Sequence, residues 1–208
     1  MLKYSLYAVL LITVIVLAGG GFHLTRLYFK NKKEMAPYAN GGIKITKNLG
    51  KVLVVYYSRS GNTKDIAQRI RQKTNADIYE IKTRDAMPSG PALYLGVKKQ
   101  LKSGVYPKII ADFPDFSSYD LIFVGSPVWW YTLSTPVLSF LKQADFKGKK
   151  VVPFLTQGSN AGHSIADFKT NAKNAIILKE REFNNISQKY NNAVDNKISV
   201  WLNELDIN

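Results

Sequence analysis

Apolar positions fall into distinct patterns along the chain. From Tyr4 to Thr25, 22 consecutive positions carry no acidic or strongly basic side chain. As a helix this run would span ~33 Å, enough for the ~30 Å hydrocarbon layer of a bilayer. Tyr4, Tyr7, Phe22 and Tyr28 fall near its ends, where amphipathic rings favour the membrane interface. Beyond residue 50 the pattern changes to short β-branched runs. Val52 to Tyr57, Ala76 to Lys82, Leu121 to Gly125, Val151 to Leu155 and Ala175 to Leu178 read as five strands. Helical spacing occupies Thr63 to Lys73, Pro91 to Lys102, Pro136 to Ala144, Ser164 to Ala172 and Asn191 to Leu205. In the last of these, Val194, Ile198, Trp201, Leu202 and Leu205 share one face.

These patterns divide the chain into a transmembrane anchor at 1–28, a basic linker at 29–50 and a body at 51–208. Pro37, Asn40-Gly41-Gly42 and Gly50 give the stretch from Glu34 to Gly50 the look of a tether. The rival reading of the front is a cleavable export signal, with Leu17-Ala18-Gly19 near the cut. One lysine precedes the span, whereas Arg26, Lys30, Lys32 and Lys33 follow it, so the body is expected in the cytoplasm. Strands alternating with helices predict an α/β body, a doubly wound parallel sheet with helices on both faces. Ligands of such sheets bind beyond the carboxyl ends of the strands. The loops after the first, third and fourth strands are therefore where chemistry is expected.

Composition narrows that chemistry. The 208 residues hold no cysteine, which removes thiolate metal sites and every cysteine nucleophile, and two histidines nearly close a multi-histidine metal site. Lys and Arg outnumber Asp and Glu by 29 to 15, a formal +14. Residues 1–33 hold five basic and no acidic side chains, so the rest of the chain keeps +9. The lysines are scattered rather than arrayed with aromatics along a groove, which argues against nucleic acid as a partner. Lys98, Lys99 and Lys102 read as the wet face of a helix, and Lys147, Lys149 and Lys150 as a solvated turn.

The first loop, Ser58-Arg59-Ser60-Gly61-Asn62-Thr63, joins a strand to a helix N-terminus and is rich in hydroxyl and amide donors, a combination suited to an anion. It lacks the Gly-Lys-Ser/Thr ending of an ATP or GTP loop. The second, Gly125-Ser126-Pro127-Val128-Trp129-Trp130-Tyr131, sets three successive aromatics past a strand end, where their faces suit a flat ligand. One of the two tryptophans is expected to pack as core under the neighbouring helix. The third, Thr156-Gln157-Gly158-Ser159 and on to Ser164, offers short polar groups, with Ser164 placed to cap the next helix.

Tyr57 to Thr63 resembles the FMN-phosphate loop of flavodoxins, with Ser60 where threonine is commoner. The three loops in order resemble the flavodoxin-like branch whose second loop reads Pro-x-Trp-Trp and whose third reads Thr-x-Gly. The resemblance spans residues 51–208. It implies five parallel strands in the order 2-1-3-4-5, a non-covalent FMN, and redox chemistry carried by the flavin with no separate catalytic side chain. It assigns the phosphate to Ser58, Ser60, Gly61, Asn62 and Thr63, and the ring to Pro127, Val128, Trp129, Trp130, Thr156, Gln157 and Gly158. Arg59, Tyr131 and Ser159 complete the candidate set, and His163 reads as a solvated loop histidine. The expected partners are NAD(P)H or a redox protein as donor, a quinone as acceptor, and membrane lipid along residues 4–25. Typical flavodoxins are acidic, so the basic body departs from a plain shuttle. The alternative is a non-catalytic module using that surface for anionic lipid or a protein.

Overall fold

The structure, a computed structural model, describes residues 2–185 and 190–207. Helix α1, Leu2–Met35, leads into a short 3-10 turn, Ala36–Tyr38. The body then alternates: β1 Val52–Tyr56, α2 Asn62–Thr74, β2 Asp77–Glu80, α3 Pro91–Ser103, β3 Leu121–Trp129, β4 Thr132–Leu133, α4 Thr135–Gln143, β5 Lys150–Gln157, α5 Ser164–Asn171, β6 Ile176–Ile177, β7 Arg181–Asn184 and α6 Asn191–Glu204. The main strands are parallel, in the order β2-β1-β3-β5-β6, with β7 also on the outer edge of β5 and β4 turned back on β3. This is the doubly wound order that the resemblance implies. β1 is buried along its whole length, because helices cover both faces of the sheet.

One core layer gathers Val124, Val137, Phe140 and Phe146, and the other Phe123, Phe154, Phe183 and Trp201. Val194, Ile198, Trp201 and Leu202 of α6 are buried, as is Leu205 just past its end. Trp201 meets Phe123 and Phe183 edge-on at ring-centre distances of 5.5 and 6.0 Å, and its indole N–H donates to the Lys179 carbonyl at 3.0 Å.

Three expectations need correction. The fifth strand expected at 175–178 is present as β6, but a further edge strand, β7, was not expected. β6 pairs with the start of β5 and β7 with its end, because the chain leaves the ladder around Lys179 and returns at Arg181. The third strand runs on to Trp129 and folds back as a hairpin, so Pro127, Val128 and Trp129 are strand residues rather than loop. The stretch read as a tether is packed against the body: α1 runs on to Met35, which is 1% exposed in the core. Below it, the Asn196 amide donates to the Tyr38 carbonyl at 2.9 Å, and the Thr46 N–H donates to Asn203 at 2.9 Å. The composition of the Asn/Lys-rich stretch from Asn171 to Asn196 suggests a partly irregular surface loop; of this stretch, residues 186–189 lie outside the described residues.

Glu34 anchors α1 to the body. Its carboxylate accepts from the buried Lys197 ammonium at 2.5 Å and from the Asn184 amide. Burial pulls the Lys197 ammonium below the ordinary lysine range, and Glu34 opposes that pull. Breaking a fully buried ion pair costs about 3–5 kcal/mol. Glu34 keeps 25% of its side chain exposed. Glu34→Gln is therefore expected to lower stability by about 2 kcal/mol in urea unfolding of the detergent-solubilised chain.

Candidate functional site

A cavity of about 490 Å³ opens at the carboxyl ends of β1, β3 and β5. That volume suits a small-molecule or cofactor site, which typically spans about 300–1,000 Å³. Its walls come from all three predicted loops: Arg59, Ser60 and Asn62 from the first, Pro127 to Tyr131 from the second, and Thr156 to Asn160 from the third. Among the described residues Arg59 is the one charged side chain on the wall, so it favours an anion there.

The first loop ends at Gly61, whose φ of +92° suits glycine, and α2 starts at Asn62 with no side chain capping it. Asn62 and Arg59 both line the cavity, so the first turn of the helix, with its free N–H groups, stands beside it. Two predicted residues of this loop stand behind the wall instead. The Ser58 hydroxyl accepts from the Gly61 N–H at 3.2 Å and shapes the turn. Thr63 is buried, and its hydroxyl bonds that of Thr156 at 2.7 Å, tying the first loop to the third. Gly61 is likewise absent from the wall. These three act as buttresses.

The second loop is a tight hairpin whose turn residues, Trp130 and Tyr131, have φ of 51° and 63°. The tight hairpin turn demands positive φ at both positions, where Asn and Gly are the usual occupants. Bulky aromatics there are strained, at a cost on the order of 1–3 kcal/mol each. The surroundings hold them in place: the Trp130 indole N–H donates to the Tyr94 carbonyl at 3.2 Å, and the His163 N–H donates to the Tyr131 carbonyl at 2.8 Å. Trp129 is half-buried and stands edge-on to Tyr57 at 5.7 Å. Burial pushes the Tyr57 phenol up, Arg59 opposes this, and Glu80 adds to it. Trp129 does pack against the core but still lines the cavity, while Trp130 is 44% exposed, so neither tryptophan is spent as a wholly structural residue.

Thr156 and Gln157, expected in the third loop, are the last residues of β5, and the strand end brings the buried Gln157 to the cavity. Its amide N–H donates to Glu182 at 3.2 Å, while its side-chain oxygen is buried with no hydrogen-bond partner among the described residues. Such an oxygen is costly unless a ligand or water supplies a donor. Ser164 does not cap α5; its hydroxyl donates to the Ala161 carbonyl at 2.6 Å, and His163 takes the cap position. His163 lies off the cavity wall, 3.4 Å from the Asp167 carboxylate.

Leu93, Tyr94, Val97, Asn160 and Asn185 also line the cavity and were not among the predicted residues. Leu93 and Val97 are the buried face of α3, visible as an i, i+4 apolar pair, but nothing in their spacing says what they face. Among the described residues no cluster of three or more His, Asp or Glu gathers to hold a metal.

A family profile described as Flavodoxin matches residues 51–204. No curated protein matches the chain. Among solved structures, the chain is similar to a flavoprotein from Lactobacillus acidophilus NCFM determined in complex with FMN, at 26% identity and a TM-score of 0.59, over 64% of this chain and 93% of that one. It is similar to a flavoprotein from Bacteroides eggerthii DSM 20697 at 26% identity and a TM-score of 0.60, over 74% and 96%. A flavoprotein from Bacteroides uniformis ATCC 8492 gives 26% and 0.61, over 72% and 97%.

Proposed function

The chain belongs to the flavodoxin family, and on that premise we propose that it is a membrane-tethered flavoprotein that transfers electrons, or reduces a small molecule at the expense of NAD(P)H, through FMN. The observation that carries this reading is the match between the cavity and that cofactor. An uncapped helix N-terminus beside Arg59 suits a phosphate, an aromatic slot suits a ring, and the buried Gln157 oxygen requires a donor.

In this reading Arg59, Ser60, Asn62 and the first N–H groups of α2 hold the phosphate. Trp129, Trp130 and Tyr131 flank the ring and keep water from it, and Thr156, Gln157, Gly158 and Ser159 meet its polar rim. Bound there, FMN supplies reversible acceptance of electrons, and the protein's part is to orient the ring and set its surroundings. No side chain at the site is assigned a separate acid or base role.

The hairpin tip is the most sensitive part of the slot. A methyl group on Gly162 would lie 2.2 Å from the Tyr131 carbonyl oxygen, and Gly162 itself has φ +56°. Gly162→Ala is expected to displace Tyr131 and weaken FMN binding about tenfold, or about 1.4 kcal/mol. Titration of the apoprotein by flavin fluorescence checks this.

Helix α1 supports the tether: it is long and apolar enough to cross a membrane, and its apolar side chains, such as Leu17 and Phe22, are exposed. Its heavier positive flank favours a cytoplasmic body. A C-terminal reporter active only outside the cytoplasm is expected to stay silent, and a signal from it would reverse the orientation.

The donor is tested by anaerobic absorbance of the detergent-purified chain. Bleaching of the flavin band by NADH or NADPH marks a reductase, for which a quinone in the bilayer is the natural acceptor. Bleaching by dithionite alone marks a carrier fed by another redox protein. A flavin band that neither reagent bleaches contradicts the redox reading.

A further inference from the structure

The point at which α1 meets the body fixes which end of the sheet faces the bilayer. The Lys30 ammonium donates to the Ser159 carbonyl at 2.6 Å, in the third loop at the carboxyl end of β5. From there the chain descends beside α6, through Tyr38 to Asn196 and Thr46 to Asn203, and reaches β1 at its amino end. The far end of α6 lies at the amino end of the sheet too, since the ammonium of Lys150, the first residue of β5, donates to the Ile207 carbonyl at 2.6 Å. The residues before Lys30 therefore continue beyond the carboxyl end. At 1.5 Å per residue, the uncharged run ends at Thr25, only ~8 Å along the helix from Lys30. If α1 spans a membrane, the cavity mouth stands level with the lipid headgroups.

The same rim exposes apolar surface. Leu95 is 70% exposed, Tyr94 64%, Tyr131 53% and Trp130 44%. The Lys98 ammonium lies 5.3 Å from the Trp130 ring centre. Aromatic rings set among lysines are the composition of the membrane–water interface, where rings sit at headgroup level and lysines meet anionic lipid. The strained, outward hairpin tip places two of those rings there.

We propose that Tyr94, Leu95, Trp130 and Tyr131, with Lys98, form a second membrane-contact site that seats the cavity mouth on the lipid surface. A substrate dissolved in the bilayer then reaches the site without crossing bulk water. The inference rests on the reading of α1 as a membrane span.

The absence of cysteine gives a clean test, since one introduced thiol is a unique label site. Leu11→Cys, Leu95→Cys and Val105→Cys are each spin-labelled in the full-length chain and placed in vesicles of phosphatidylcholine and phosphatidylglycerol. Leu95 and Val105 are ten residues apart along and just past α3, about 15 Å, so Val105 reports the far end of the body. Accessibility to oxygen and to a water-soluble nickel complex is then compared. The expected result is a Leu11 label in lipid and a Leu95 label at headgroup depth, several-fold less accessible to nickel than Val105. A Leu11 label in lipid with a Leu95 label as accessible as Val105 overturns the contact site, leaves the span intact, and frees the rim for a soluble partner. A Leu11 label open to nickel overturns both.

Discussion

Gly125→Ala is expected to destabilise the body by about 3 kcal/mol, at the upper end of the cost of overpacking a core. Gly125 is paired across the sheet with Phe154, whose ring lies over the glycine. A methyl group there would sit 2.1 Å from the end of that ring. Phe154 is 0% exposed, in the layer shared with Phe123, Phe183 and Trp201, so the ring has nowhere to swing. The next residues on the two strands, Ser126-Pro127 and Leu155-Thr156, lead straight into the cavity, so any shift is passed on to it. Urea unfolding measures the loss. Adding Phe154→Leu to Gly125→Ala should recover part of it, because the pair is in contact and its effects will not add. If Gly125→Ala unfolds at the same urea concentration as the parent chain, the packing described for this strand pair is wrong.

Asn62→Asp should separate affinity from stability. Asn62 is the first residue of α2, at an uncapped N-terminus. A carboxylate there interacts favourably with the helix dipole, by about 0.3–1 kcal/mol. The same charge faces the proposed phosphate, and two like charges ~4 Å apart repel by several kcal/mol near a protein surface. FMN affinity is expected to fall ~100-fold, or about 2.7 kcal/mol. Riboflavin, which has the same ring and no phosphate, should bind the variant and the parent alike. Parallel fluorescence titrations give both numbers. An equal fall for both ligands would mean that the loop does not hold the phosphate.

The central strands were legible because β1, β3 and β5 are largely buried and so appear as apolar runs, whereas their order followed only from the resemblance to flavodoxins. At the outer edge Ile176-Ile177 was read within the fifth strand, but Arg181 to Asn184 was not, since it is short, half-polar and set off by a break that periodicity cannot register. The three loops could be read because their residue types carry chemistry in themselves. Their division into wall and buttress could not: Ser58 and Thr63 carry a hydroxyl just as Ser60 does, and only the fold decides which turns inward. The hairpin was hidden because Trp130 and Tyr131 occupy turn positions where asparagine and glycine would have announced it. The docking of residues 34–50 depends on pairs more than a hundred residues apart, such as Glu34 with Lys197. A local pattern rich in proline and glycine reads as a linker whether or not a distant helix receives it.

The most direct test of this account is a titration of the full-length chain, purified in detergent and stripped of flavin, with FMN. The account predicts saturation at one FMN per chain, with the flavin fluorescence quenched by the aromatic slot. A chain that is folded by circular dichroism, yet colourless as isolated and without effect on the fluorescence of added FMN, would contradict it.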